Sequence, residues 1–179
     1  SLSRLLDFGV VEVVVAVAPQ DSHWQTLPLA QDQRVKFIEG GDSRCVSVLN
    51  GLDVLASTHS VDEFVFVHDA VRPCVPMKDL EQLVGLAEHH EVDGLLPTPL
   101  TDTLKRSSLT SPPVAEHTVN RDNLWRALTP QMFRLGVLKS AIAAALKNTE
   151  VTDEAMAIEL AGHEPLLVEG SSANIKITY

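Results

Sequence analysis

The twelve residues Phe64–Val75, FVFVHDAVRPCV, decide how the chain reads. Four apolar residues, aromatic and β-branched by turns, run without a break and then give way to His68, Asp69, Ala70, Val71, Arg72 and Pro73. A run this short and this apolar predicts a buried strand, and strands buried on both faces belong to parallel sheets. In an open sheet of that kind, ligands bind beyond the carboxyl ends of the strands. Asp69 and Arg72 therefore stand where function is expected. A carboxylate there can meet a metal ion or ligand hydroxyls, and the arginine can orient it or attract phosphate. An internal Asp–Arg ion pair that merely closes the loop accounts for the same two residues.

Outward from this stretch, strand and helix patterns alternate. Val10–Pro19 (VVEVVVAVAP) reads as another strand buried on both faces, and Arg34–Gly41 (RVKFIEGG) as a strand ending at a glycine pair. Ser43–Ala56 spaces Val46, Leu49, Leu52 and Leu55 as a helix does. Met77–His90 is an amphipathic helix, with His89 and His90 read as solvated residues at its end. Asp93–Leu100 predicts a short strand, Arg134–Asn148 an alanine-rich helix, and Val151–Gly162 a helix with Thr152 as N-cap, acids in the first turn and Gly162 as its stop. Glu164–Gly170 reads as a final strand. The alternation predicts one α/β domain over residues 1–179, with a mostly parallel sheet flanked by helices.

One segment breaks the rhythm. Residues 100–121 are polar, carry Pro112 and Pro113, and are too long for a compact loop. The flanks TDTLKR and AEHTVNR are suited to pair as an extended hairpin. Such an arm cannot bury a core alone, so it is expected to lean on a second subunit.

Composition excludes several classes. The net charge of −10 argues against nucleic-acid and anionic-membrane binding, yet leaves room for a small phosphorylated ligand held by a few local cations. No apolar run is long enough to span a bilayer, and the first ten residues do not form a signal peptide. Cys45 and Cys74 show neither metal-ligand spacing nor a disulfide framework, which fits a reducing compartment. There is no Ser/His/Asp triad, thiol nucleophile site, zinc spacing, P-loop or GxGxxG. The absent glycine fingerprint ranks a nicotinamide-binding protein last.

Two further groups carry chemistry. In Gly40–Ser47 (GGDSRCVS) the glycines allow close backbone approach, and Asp42 or Ser43 can cap a helix whose N-terminus favours phosphate. A βα turn with an N-cap accounts for it equally. Late in the chain, Thr103, Arg121, Thr129, Thr152 and Lys176 are phosphate-compatible, and each alone is ordinary surface or cap chemistry.

Taken together, GGDSRCVSVLNGL, FVFVHDAVRPC, PTPLTDTLKR, HTVNRDNLWRALTPQMF, VTDEAMAIELAG and VEGSSANIKIT resemble, in order and spacing, the 2-C-methyl-D-erythritol 4-phosphate cytidylyltransferase family of the non-mevalonate isoprenoid pathway. The likeness runs from Val11 to Thr178. It implies a Rossmann-like nucleotidyltransferase fold and a homodimer formed through a protruding β-arm. It also implies transfer of a cytidylyl group from CTP to methylerythritol phosphate with release of pyrophosphate, assisted by Mg²⁺ held mainly through the CTP phosphates. By the same resemblance, Gly41, Asp42 and Ser47 hold the cytidine side of CTP, and Asp69 and Ala70 lie by its ribose and phosphates. Asp69, Thr103, Arg121, Thr129, Thr152 and Lys176 receive methylerythritol phosphate. Arg121 and Lys176 are the catalytic pair, with Arg121 reaching into the neighbouring subunit's site. The bacterial cytoplasm or the plastid stroma is the implied location. The family's Gly-rich triphosphate loop and its C-terminal helix match nothing in the sequence, so both are expected to lie outside these residues. A chain truly without the loop is expected to have little activity. The alternatives are a cytidylyltransferase for another polyol phosphate, such as ribitol 5-phosphate, and a non-catalytic nucleotide-binding remnant.

Overall fold

The computed structural model describes residues 1–87 and 94–178; His89 and His90 lie outside them. Helix α1 (Leu2–Phe8) ends at Gly9, which adopts φ +97°. Strands β1 (Val13–Val17) and β2 (Val35–Glu39) pair in parallel, from Val13 opposite Val35 to Val17 opposite Glu39. Helix α2 (Arg44–Ala56) follows β2, capped by Ser43, whose hydroxyl accepts from the Val46 amide. Next come β3 (Phe64–Val67), α3 (Met77–Ala87), β4 (Gly94–Leu95) and β5 (Thr98–Pro99). The arm follows as β6 (Leu104–Ser107) and β7 (Ala115–Val119), and then β8 (Trp125–Arg126) pairs with β5. Strand β9 (Gln131–Arg134), α4 (Leu135–Ala145), α5 (Glu154–Leu160) and β10 (Leu166–Leu167) complete the order.

The main sheet runs β10–β4–β9–β3. Strands β10, β4 and β3 point the same way, and β9 runs against both of its neighbours, so the sheet is mixed. Sequence patterning does not mark β9, because two of its four residues, Gln131 and Arg134, are polar and it follows Pro130. Gln131 is nevertheless almost fully buried. Its amide donates to Asp153 Oδ2 at 2.9 Å and accepts from the Ala155 amide at 2.7 Å, which removes the cost of burying it. The next two side chains alternate across the sheet. Met132 packs with Leu83, Leu96 and Val168 on the α3 side, and Phe133 packs with Leu138, Ile142 and Ile158 on the α4–α5 side. One short strand thus joins both halves of the core.

The expectation that β1 and β3 are buried on both faces is corrected. Most of their side chains are only half-buried, and Phe64 is exposed. Among the described residues β1 pairs with β2 and β3 with β9, and side chains of β1 and β3 line a cleft of about 310 Å³ together with Leu5, Phe8, Leu55 and Leu135. The N-cap of α5 is also corrected. Asp153, not Thr152, occupies it, and its carboxylate accepts from the Met156 amide at 3.0 Å. The Thr152 hydroxyl turns towards Met156 Sδ instead, at 3.4 Å. Gly162 stops the segment with φ +89°.

The hairpin expectation holds. Leu104 pairs with Val119, Lys105 with Thr118 and Arg106 with His117, with an irregularity at Arg106/Ser107. Leu109 and Val114, between the two strands, are exposed. No helix among the described residues is long and apolar enough to cross a membrane.

Candidate active site

Reversal of β9 shapes the site. Because Gln131 lies opposite Val67, the residues before β9 reach the same sheet edge as the residues after β3. Asp69 thereby meets Thr129, whose hydroxyl accepts from the Asp69 amide at 2.9 Å and lies 3.2 Å from His68 Nδ1. The chain after β10 crosses the same edge. Gly170 donates to Pro97 O and Ser171 to Asp79 Oδ2. Asn174 Nδ2 donates to Thr129 O, and the Ile177 amide to Val71 O. These bonds deliver Lys176, whose Nζ lies 3.2 Å from Asp69 Oδ2.

Asp69 is the hub. Arg44 Nε contacts its Oδ1 at 3.1 Å, while Arg72 Nε and Lys176 Nζ contact its Oδ2 at 3.4 and 3.2 Å. Arg44 also grips Glu154 with both terminal nitrogens, at 2.6 and 3.0 Å. Glu154 is only 1% exposed. Burial works against ionisation of Asp69, but Arg44 and Lys176 outweigh it and hold the carboxyl below its ordinary range. Burial pushes the Glu154 carboxyl up, and the two-pronged bond from Arg44 counters that push. Arg44 is itself partly buried, yet Glu154 and Asp69 drive its pKa well above the ordinary value. Burial lowers the pKa of His68, which favours the neutral ring. Three cations against two carboxylates leave the cluster one positive charge in excess, within a chain of net charge −10. Such a spot attracts anions.

Beside it lies the Gly40–Ser47 turn. The Gly41 amide donates to Ser47 Oγ at 3.0 Å, and Ser47 Oγ donates to Ser43 O at 2.9 Å. A side chain at position 41 would drive into Val46, so only glycine fits this close approach. Asp42 and Ala70 are exposed next to these groups.

The residues singled out from the sequence thus fall into two sets. Gly41, Asp42, Ser47, Asp69, Ala70, Thr129, Thr152 and Lys176 belong to segments linked to one another by the bonds of Arg44, Asp69 and Gln131. Thr129 is buried, with its hydroxyl already engaged by Asp69 and His68. Arg72 is 7% exposed, and its Nη1 donates to Asn174 O, so it supports the turn rather than facing solvent. Thr103 and Arg121 are exposed at the ends of the arm strands, and no ion pair or side-chain hydrogen bond among the described residues ties them to Asp69. Sequence reading missed Arg44 and Glu154. Arg44 sits in a helix's first turn, and Glu154 passes as a helix-dipole acid; only the fold shows that they meet.

No group of three or more His, Cys, Asp or Glu among the described residues is placed to hold a metal ion. Both oxygens of Asp69 are engaged by cations. These residues do not fit a resident magnesium site. The cleft between β1 and β3 is lined by none of the cluster's residues, so the site is defined by charge at the sheet edge rather than by that cavity.

The sequence model of the family described as IspD, 2-C-methyl-D-erythritol 4-phosphate cytidylyltransferase, matches residues 1–179. A curated protein of that name from Serratia proteamaculans is 44% identical over 170 residues, covering 94% of this chain and 70% of the relative. One from Yersinia pseudotuberculosis is 44% identical over 170 residues, covering 94% and 68%. A crystal structure of 4-diphosphocytidyl-2C-methyl-D-erythritol synthase superposes with a TM-score of 0.85 at 34% identity, covering 99% of this chain and 82% of that one. The Francisella tularensis 2-C-methyl-D-erythritol 4-phosphate cytidylyltransferase superposes at 0.83 with 33% identity, covering 98% and 81%. With a match along its whole length and relatives this similar, the chain belongs to the 2-C-methyl-D-erythritol 4-phosphate cytidylyltransferase family.

Proposed function

We propose that this chain transfers the cytidylyl group of CTP to 2-C-methyl-D-erythritol 4-phosphate, giving 4-diphosphocytidyl-2-C-methyl-D-erythritol and pyrophosphate. The observation that carries the reading is the meeting of Lys176 with Asp69, 107 residues apart in sequence, with Asp69 also bonded to Arg44 of the Gly41–Ser47 segment. Two motifs of the family, far apart in the chain, converge on one cationic spot. The reaction brings two polyanions into line, so positioning and charge neutralisation carry most of the catalysis. The phosphate of the acceptor substrate attacks the α-phosphorus of CTP, the new P–O bond forms, and pyrophosphate leaves with the electron pair of the broken bond. No enzyme nucleophile is needed.

In this reading Gly41, Asp42 and Ser47 hold the cytidine side, and Asp69 and Ala70 lie by the ribose. Thr103, Arg121, Thr129, Thr152 and Lys176 receive the acceptor, with Arg121 and Lys176 against the attacking phosphate. Magnesium accompanies the triphosphate as its counter-ion. The β6–β7 arm, with Leu109 and Val114 exposed, joins two subunits into a homodimer and carries Arg121 to the neighbouring site. The bacterial relatives and the two free cysteines, Cys45 and Cys74, favour the cytoplasm.

Pyrophosphate release by the full-length protein, with CTP and each acceptor in turn, tests the reading. Turnover is expected with methylerythritol phosphate. Faster turnover with ribitol 5-phosphate overturns the choice of acceptor, and CTP binding without turnover of either one favours a non-catalytic remnant.

A further inference from the structure

We infer that Arg44 and Glu154 are a positioning pair for cytidylyl transfer: through one guanidinium, the buried Glu154 carboxylate fixes Asp69 and sets the spacing between the two halves of the site. The inference rests on the function proposed above. Arg44 is the first residue of α2, immediately after the turn that carries Gly41 and Asp42. Glu154 is the first residue of α5, two positions after Thr152. Between them, Arg44 Nη1 and Nη2 hold both Glu154 oxygens while Nε holds Asp69 Oδ1. A single planar side chain thus ties together three segments: the nucleotide-side turn, the loop after β3 and the acceptor-side start of α5.

The Glu154 side is rigid. Its carboxylate is sealed from solvent, and the start of α5 is bolted to β9 by Gln131, which bonds both Asp153 and Ala155. The Asp69 side is rigid too, held by Thr129 and Arg72. Only a guanidinium offers the fork needed to engage two carboxylates in fixed directions; a lysine is a point charge on a flexible stem. Without the Glu154 anchor, Arg44 is free to close fully on Asp69, and the turn that bears it is free to shift relative to Thr152 and Lys176. A misplacement of about 1 Å between reacting groups is enough to cost on the order of 100-fold in rate.

Support alone must be separated from positioning. An ion pair with a buried member can often be replaced by apolar side chains without loss of stability, and here Glu154 is buried while the Arg44 side chain is 39% exposed. The double variant Arg44→Met with Glu154→Leu is therefore expected to unfold at nearly the wild-type temperature. Its kcat is expected to stay down roughly 10–100-fold, with KM for CTP and for methylerythritol phosphate changing less than about threefold. Arg44→Lys and Glu154→Gln, made singly in the full-length protein, are expected to show the same split, and they suffice if the double variant does not fold. Recovery of kcat along with stability in the double variant makes the pair structural and overturns the inference. So does wild-type kcat in both single variants, or a loss confined to KM. Wild-type protein assayed in parallel separates the two levels. If it releases no pyrophosphate from these substrates, the functional reading itself falls and takes this inference with it. If it turns over and the variants match it, only the inference falls.

Discussion

The Asp69 cluster and the β6–β7 arm are built on opposite plans. Around Asp69, almost every polar group is spoken for: Arg44, Arg72 and Lys176 share one carboxylate, Thr129 caps its amide, and Asn174 ties the last segment to the rest. On the arm, β6 and β7 pair with each other, and Thr103, Leu109 and Arg121 stand exposed. A buried residue of the cluster, such as Arg72, cannot be removed by itself without loosening the fold. A residue on the arm can be removed with little effect on it. Under the proposed function, activity depends on both regions while stability depends on one.

The predictions follow that contrast. Lys176 belongs to the cluster but has a side chain 45% exposed, so it should behave as a ligand group more than a brace. Lys176→Ala is expected to lower kcat/KM by roughly 100–1,000-fold, the usual cost of losing one preorganised charge donor, with the unfolding midpoint little changed. Arg121→Ala is expected to lower kcat/KM by about 100-fold, with stability within ±0.5 kcal/mol of wild type, as for an exposed site. Near-normal turnover would remove Arg121 from the site, and a large stability loss would erase the contrast between the regions.

Arg72 is the counterpart inside the cluster. Arg72→Ala is expected to cost about 3 kcal/mol in urea unfolding, the low end for breaking a buried pair, because Arg44 and Lys176 remain on Asp69. The smallest effect is with pH. Asp69 has a folded-state pKa below its ordinary value of 3.8, so the unfolded chain binds more protons in that window. Its stabilising contribution is complete above 3.8 and is lost as pH falls through the lowered value. Asp69→Asn should therefore flatten the acid limb of the stability curve below 3.8, and an unchanged limb would assign that limb to other carboxylates.

Much of this was legible from residue order. Val35–Glu39, Phe64–Val67 and the hairpin flanks carry strong local patterns, and a glycine pair before Ser43 marks a tight βα turn. The rest depended on contacts between distant segments. Gln131 reads as a polar loop residue until its two bonds to the start of α5 are seen. Glu154 reads as a first-turn acid, and only burial against Arg44 distinguishes it.

The most direct test of the proposed homodimer, with each site built from both regions, is a mixed dimer. Asp69→Ala and Arg121→Ala subunits are each expected to be inactive alone. Mixed in equal amounts and allowed to exchange, they should recover roughly a quarter of wild-type activity, because half the dimers are mixed and each mixed dimer has one complete site. No recovery, with subunit exchange verified, would contradict a site that draws Asp69 from one subunit and Arg121 from the other.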